Sequence, residues 1–231
     1  SFSHVSDTQS QSTADCGAAF RGVLRNIDAD TTDFLLHTGD VVEYSMYEYE
    51  WTSMLHGNFE YLSKIPVMAV SGNHDTTYKA GSNELIKHFN HNVPAQTSTA
   101  NGYYYSFTYG NAKFIMLNTN NNGGSGLEKA QYDWLINELE NNDCTWTFVA
   151  MHAPLYSVGK WGSDPAKNGQ SRALRTQLQG IFAQYGVDIV FQGHDHLASR
   201  TKALDGKGNA TTESWVEESG VSYSVDPDGV V

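Results

Sequence analysis

The stretch VDIVFQGHDH, residues 187–196, runs from apolar, β-branched residues into a glycine and then into two histidines that flank one aspartate. The apolar part reads as a buried strand over 187–192. In an extended segment residues i and i+2 project to the same side, so His194 and His196 can face one point while Asp195 turns away. The chain has nine histidines, and two of them stand here. That spacing suits a metal ion, provided other parts of the chain supply the missing ligands.

Four other apolar runs end in the same way. The run 2–6 is followed by Asp7-Thr8-Gln9, and 34–37 by Gly39-Asp40. The run 67–70 leads to Gly72-Asn73-His74-Asp75, and 146–151 ends in His152. Taken singly, a Gly-Asp or an Asn-His-Asp is an ordinary polar turn. Five strands that each deliver a metal-capable side chain at the carboxyl end are harder to assign to solvation, because open α/β sheets build their sites there. The glycines before Asp40, Asn73 and His194 suit tight turns. Asp195 is either a partner behind a ligating histidine or a solvated loop carboxylate.

Between these runs lie helical patterns, and no internal repeat. Trp51, Leu55, Phe59 and Leu62 recur at helical spacing, with Pro66 as a stop. Leu127, Gln131, Trp134, Leu135 and Leu139 form a second stripe, with Ser125 and Glu128 spaced as a capping box. Leu174, Leu178, Ile181, Phe182 and Tyr185 form a third, closed by Gly186. Such stripes belong to a core rather than to a cofactor box. Strands alternating with helices predict an α/β domain. In GYYYSFTYGNAKFIMLNT, 102–119, two β-rich runs flank Gly110-Asn111, which predicts a hairpin and therefore a mixed sheet. Two loop-rich stretches, roughly 76–102 and 153–170, are long enough to carry function.

Composition narrows the partners. The 231 residues are 17% charged and 39% hydrophobic, which is enough for a sizeable core. No apolar run approaches the roughly 18 residues of a membrane span. Lys+Arg 14 against Asp+Glu 26 leaves a net charge of −12. That argues against a nucleic-acid backbone or an anionic membrane as partner, though not against phosphate held by metal ions. Two cysteines without a Cys-x-x-Cys pair exclude a thiolate zinc cluster and leave open whether Cys16 and Cys144 pair. A composition rich in Asn, Ser, Thr and Tyr and poor in Lys leans towards an extracellular or cell-envelope location. The start, SFSHVSDTQ, has neither a methionine nor a signal-peptide pattern, and the end, VDPDGVV, reads as a turn into a strand. Residues 1–231 are therefore expected to be a single domain trimmed at both ends.

The series Asp7-x-Gln9, Gly39-Asp40, Gly72-Asn73-His74-Asp75, His152 and Gly193-His194-x-His196 spans residues 7–196. In content and order it resembles the calcineurin-like metallophosphoesterase superfamily. Flanking text such as YYYSFTYGNAKFIMLNT and GVDIVFQGHDH resembles bacterial members related to purple acid phosphatases. The resemblance implies a four-layer α/β/β/α sandwich with two mixed β-sheets and two divalent ions, Mn, Fe or Zn, above the strand ends. It implies one site of Asp7, Gln9, Asp40 and His196 and another of Asp40, Asn73, His152 and His194, with Asp40 as the bridge. His74 would give a proton to the leaving group, oriented by Asp75. The implied reaction is hydrolysis of a small phosphate ester or nucleotide by a metal-bridging hydroxide.

Two positions depart from the family pattern. The family usually has His where Gln9 stands, and an amide oxygen is a weaker, harder ligand than imidazole. Purple acid phosphatases carry Tyr three positions after the bridging Asp; here that residue is Glu43, with Tyr44 one place late. An iron–tyrosinate site is therefore not expected. These departures support the rival reading, a non-catalytic binding or structural domain that keeps the fold with an impaired metal site. A metallo-β-lactamase-like hydrolase is set aside because its His-x-His-x-Asp-His run is absent. The other histidines have plainer readings: His4 and His37 packed or hydrogen-bonded, and His56, His88 and His91 exposed. Tyr156, Lys160, Trp161 and Arg200 are candidates to line a phosphate pocket.

Overall fold

The computed structural model describes all residues except 13, 28–29, 77–83, 92–103, 121–122, 213 and 226–228. Strands β1 (Phe2–Val5), β2 (Phe34–His37) and β3 (Val67–Ala69) pair in parallel in that order. Helix α1 (Ala18–Leu24) lies between the first two, α2 (Glu48–Leu55) and α3 (Phe59–Leu62) between the second and third, and α4 (Leu85–His88) after them. The second sheet has the order β4 (Tyr105–Tyr109), β5 (Ala112–Met116), β6 (Trp146–Ala150), β7 (Ile189–Phe191). Its first pair is the expected antiparallel hairpin, turned at Gly110 with φ 60°, and the rest is parallel. Helix α5 (Lys129–Glu140) precedes β6; α6 (Lys160–Ser163) and α7 (Gly169–Gln184) precede β7. Strands β8 (Ser214–Glu218) and β9 (Val221–Val225) form a separate two-stranded sheet.

Side-chain alternation explains the layering. On β2, Phe34 and Leu36 point into one cluster and Leu35 into another. On β5 and β6, Phe114, Met116 and Ala150 share the cluster of Phe34, whereas Ile115 and Val149 join Trp134, Leu135, Leu174, Leu178 and Phe182 of α5 and α7. Three clusters thus separate four layers: helices, parallel sheet, mixed sheet, helices. This is the α/β/β/α sandwich that the residues resemble. The described part of the first sheet is parallel throughout, so the mixed character resides in the second. Aromatic rings dominate the middle cluster, where Phe2 meets Phe34, Phe114, Phe148 and Phe191 at centroid distances of 5.2–5.9 Å.

Some local expectations are corrected. The helix expected from Trp51 to Leu62 breaks into α2, a tight turn at His56–Asn58, and α3. Gly57 weakens it, and buried Asn58 turns its amide back to the carbonyls of Met54 and Gly17 at 2.7 and 3.3 Å. Phe59 is left 63% exposed. No capping box forms at α5; Glu128 itself caps in an extended conformation, without a side-chain bond. Cys16 and Cys144 are both free thiols. His88 and His91 are not exposed but half-buried, stacked on Trp51 and Tyr105 at 4.2 and 4.4 Å. Most of the loop expected at 76–102 lies outside the described residues, whereas 153–170 contains α6. No helix among the described residues is long and apolar enough to cross a membrane.

Candidate metal centre

All the parallel strands release their chains at one edge, and backbone bonds lace those ends together. The Asp7 amide donates to the Gly39 carbonyl at 3.0 Å, Gln9 to Asp40 at 3.2 Å, and Gly193 to His152 at 3.0 Å. Five described non-glycine residues have positive φ, and four of them are expected ligands: Asp7 at 52°, Asp40 at 54°, His194 at 75° and His196 at 50°. A left-handed backbone costs an ordinary L-residue roughly 1–2 kcal/mol. Concentrating that strain at one point is a sign that the side chains are being aimed. Close approach is also enforced at Gly72, where a Cβ would lie 2.1 Å from Asp40 Oδ1.

His152 is at the centre of a buried group and is wholly inaccessible. Its Nδ1–H donates to the Thr38 carbonyl at 2.8 Å, which leaves the Nε2 lone pair facing inward. Within 3.1–3.2 Å of Nε2 lie Asp40 Oδ2, Asn73 Oδ1 and His194 Nδ1. Burial holds His194 neutral, with its pKa lowered to about 4. With His194 as its Nε2–H tautomer, four lone-pair atoms converge there, an arrangement that a cation or a proton relieves. Burial opposes charge on His152, but the Asp40 carboxylate outweighs it and pushes the pKa up to about 9. The donor chemistry therefore fits a metal, with imidazole and oxygen together suiting zinc, iron or manganese.

The second group shares Asp40 and opens to solvent. Asp40 Oδ1 is held by the His74 amide at 2.8 Å, so its other oxygen, Oδ2, faces His152 on one side and Gln9 on the other, the latter at 3.3 Å. His196 Nε2 lies 3.5 Å from Asp7 Oδ1 and 3.2 Å from the Gln9 amide. Asp7, Asp40 and His196 bring ligand atoms within 4.8 Å of one another, as do Asp40, His152 and His194. The Gln9 Oε1 atom is buried with no hydrogen-bond partner. A half-turn of the amide would exchange that orphaned oxygen for the nitrogen and place it toward Asp40 and His196. Gln9 thus fits as a ligand through its oxygen.

His74 stands beside this cluster, but Asp75 does not orient it. The His74 Nδ1–H donates to the Glu43 carbonyl at 2.9 Å, with the Glu43 carboxylate 3.8 Å away. Asp75 is buried and turned the other way. Its oxygens accept from the amides of Val41, Val42 and Gly72 at 2.8, 3.3 and 2.8 Å, so it clasps the loops after β2 and β3. Burial, reinforced by Asp40, raises its pKa to about 7. Glu50, which sequence reasoning passed over, is buried on α2 and accepts from the amides of Glu43 and Tyr44 at 2.9 and 2.8 Å, fixing the loop that holds His74. A lone glutamate beside Trp51 on an apolar helix face was the available signal. His37, as expected, is packed and bonded: it accepts from the Gly39 amide and donates to Thr8 Oγ1.

The cluster opens into a cavity of about 400 Å³, lined by Asp40, Asn73, His74, His194 and His196 together with Lys160, Trp161 and Asp195. Tyr156 and Arg200 line a different cavity, of about 320 Å³, behind the 193–196 loop. Asp195 separates the two and accepts from the Trp161 amide at 3.2 Å. It is a loop brace rather than a solvated carboxylate.

Residues 1–198 match the family model described as calcineurin-like phosphoesterase. Purple acid phosphatase 23 of Arabidopsis thaliana is 33% identical over 152 residues, covering 62% of this chain and 31% of that protein. The chain therefore spans about a third of that relative's length. Among solved structures, the purple acid phosphatase PPD1 from yellow lupin (Lupinus luteus) seeds superposes with a TM-score of 0.65 at 22% identity, over 83% of this chain and 37% of that one. A dimetal phosphatase from Danio rerio does so with a TM-score of 0.59 at 18% identity, over 90% of this chain and 84% of that one. The ligand geometry and the match over most of its length agree: the chain belongs to the calcineurin-like phosphoesterase family.

Proposed function

We propose that this chain is the catalytic domain of a dinuclear metal-dependent phosphoesterase acting on small phosphate esters or nucleotides. The observation that carries the reading is the convergence of lone pairs on the two sides of Asp40, delivered from five strand ends. Asp40, Asn73, His152 and His194 would hold one ion, and Asp7, Gln9, Asp40 and His196 the other. Bound ions would neutralise phosphate charge and supply a water nucleophile of lowered pKa. The chain's own residues do the rest. Asn73 offers its amide N–H to a phosphoryl oxygen, and His74, with Nδ1 tied to the Glu43 carbonyl, presents Nε2–H to the leaving oxygen. Asp75 keeps the two loops in register. A surface of net charge −12 disfavours nucleic-acid backbones as substrates. The amide- and hydroxyl-rich, lysine-poor composition favours an extracellular or cell-envelope location.

The test is hydrolysis of a panel of monoesters, diesters and nucleotides by chelator-stripped protein before and after Mn, Zn or Fe is restored. Metal-dependent release of phosphate or alcohol is expected. A chain that binds the ions but turns over no ester with any of them is the non-catalytic domain of the rival reading.

A further inference from the structure

Lys160 and Trp161 line the same cavity as the candidate metal ligands, and Lys160 brings a cation to its wall. Among the described lining residues, Lys160 is the one Lys or Arg. Its Nζ sits 4.9 Å over the Trp161 ring. Asp195, in the same lining, accepts from the Trp161 amide through Oδ1 while its Oδ2 is buried without a hydrogen-bond partner, and Asp164 pairs with Lys167 at 4.0 Å. The wall is fixed. The Trp161 amide is held by Asp195 at 3.2 Å, and the Trp161 carbonyl by the hydroxyl of buried Ser171 at 3.1 Å. The Trp161 ring lies 4.8 Å from that of His194. Gly159 presses so closely on Asp195 that a Cβ there would lie 2.4 Å from the carboxylate carbon. Asp195 therefore couples the 193–196 loop, with its two histidines, to the segment that bears Lys160.

Resting on the phosphoesterase reading, we propose that Lys160, propped on Trp161, makes the site select phosphomonoester dianions over diesters. A monoester carries about −1.5 to −2 at neutral pH, because its second ionisation falls near pH 6. A diester carries one negative charge and has an organic substituent in place of one free oxygen. Two bound ions and an ammonium resting over Trp161 would supply more positive charge to one cavity than a diester uses. Lysine acts here as a point charge, which binds a phosphoryl oxygen without demanding a fork geometry. An exposed lysine neither packs in a core nor serves the fold, so its substitution leaves folding intact.

The experiment compares kcat and KM for an aryl phosphate monoester and the matching bis-aryl diester on the Mn-loaded chain, for wild type, Lys160→Met and Lys160→Arg. A second arm measures inorganic phosphate binding to the same three proteins by calorimetry, which needs no turnover. The expected result is a fall of about five- to tenfold in the monoester-to-diester ratio of kcat/KM for Lys160→Met, carried mainly by monoester KM, with Lys160→Arg close to wild type. The wild-type monoester KM should also drop as pH rises through the substrate's second ionisation, and Lys160→Met should flatten that profile. An unchanged ratio together with unchanged phosphate affinity overturns the proposal. A wild type inactive on both esters overturns the phosphoesterase reading instead; the calorimetric arm then decides Lys160 alone, and phosphate held equally by wild type and Lys160→Met overturns its role as an anion clamp.

Discussion

The two halves of the ligand cluster share Asp40 and differ in depth. The His152 and Asp40 side chains are 0% and 1% exposed, whereas the His196 side chain is 62% exposed. In the deep half, His152 Nε2 and Asp40 Oδ2 face each other at 3.2 Å in buried side chains, so a cation or a proton between them relieves the crowding, while Asn73 and His194 reach the cavity. In the open half, His196 can turn to water, whereas the Asp7 side chain is 8% exposed and Gln9 Oε1 is buried. Affinity there is left to the chemistry of the ligands, and there the chain carries Gln9 in place of the family's histidine. On the proposed assignment, the fold encloses one metal position more deeply than the other.

Removing the shared residue should have the largest effect. Asp40→Asn takes charge from both halves at once and is expected to lower phosphate release by about 10³-fold or more, with fewer ions bound per chain. Residual activity near wild type with two ions retained would break the picture of a shared bridge. His74→Ala should lower kcat by about 10²-fold while metal content stays intact, and the loss should shrink for esters with very good leaving groups. An ion lost along with the activity would move His74 into the ligand set.

The deep half also predicts a pH effect on stability. In metal-stripped protein the His152 pKa of about 9 lies above its ordinary 6.5. The folded state then holds a proton that the unfolded chain has given up. The resulting stability is fully present below about pH 6.5 and is lost as pH rises through about 9. Thermal melts across that window should decline without metal and flatten when a divalent ion replaces the proton. Melts that rise with pH in stripped protein would show that the deep half is satisfied in some other way. The smallest signal is an expected blank. Tyr44 is 43% exposed and packs edge-on against Tyr47 at 6.0 Å, so iron-loaded protein should show no visible phenolate–iron band. A purple sample would place a phenol at the ion.

The ligand positions were readable because they follow apolar, β-branched runs whose burial is decided locally, with glycines marking the turns. The four layers followed from alternation on β2, β5 and β6. What could not be read depends on contacts distant in sequence. Asp75 sits next to His74 in the chain, yet its carboxylate is captured by amides of residues 41, 42 and 72, and Glu43 holds the ring instead. Adjacency in sequence does not say which way a turn directs a side chain. Likewise Lys160 and Arg200 looked equivalent as pocket candidates. They fall in different cavities because Asp195 stands between them.

Calorimetric titration of stripped wild type and Gln9→His with Mn and with Zn tests the contrast between the halves most directly. Three of the four proposed ligands in the open half of the wild type are oxygens, so this half should bind more weakly and favour Mn. Two unequal binding steps are expected, with the weaker step released first to a mild chelator. Gln9→His should tighten that step by about tenfold or more and turn its preference towards Zn. Two equally tight steps in the wild type, unchanged by the substitution, would contradict the account.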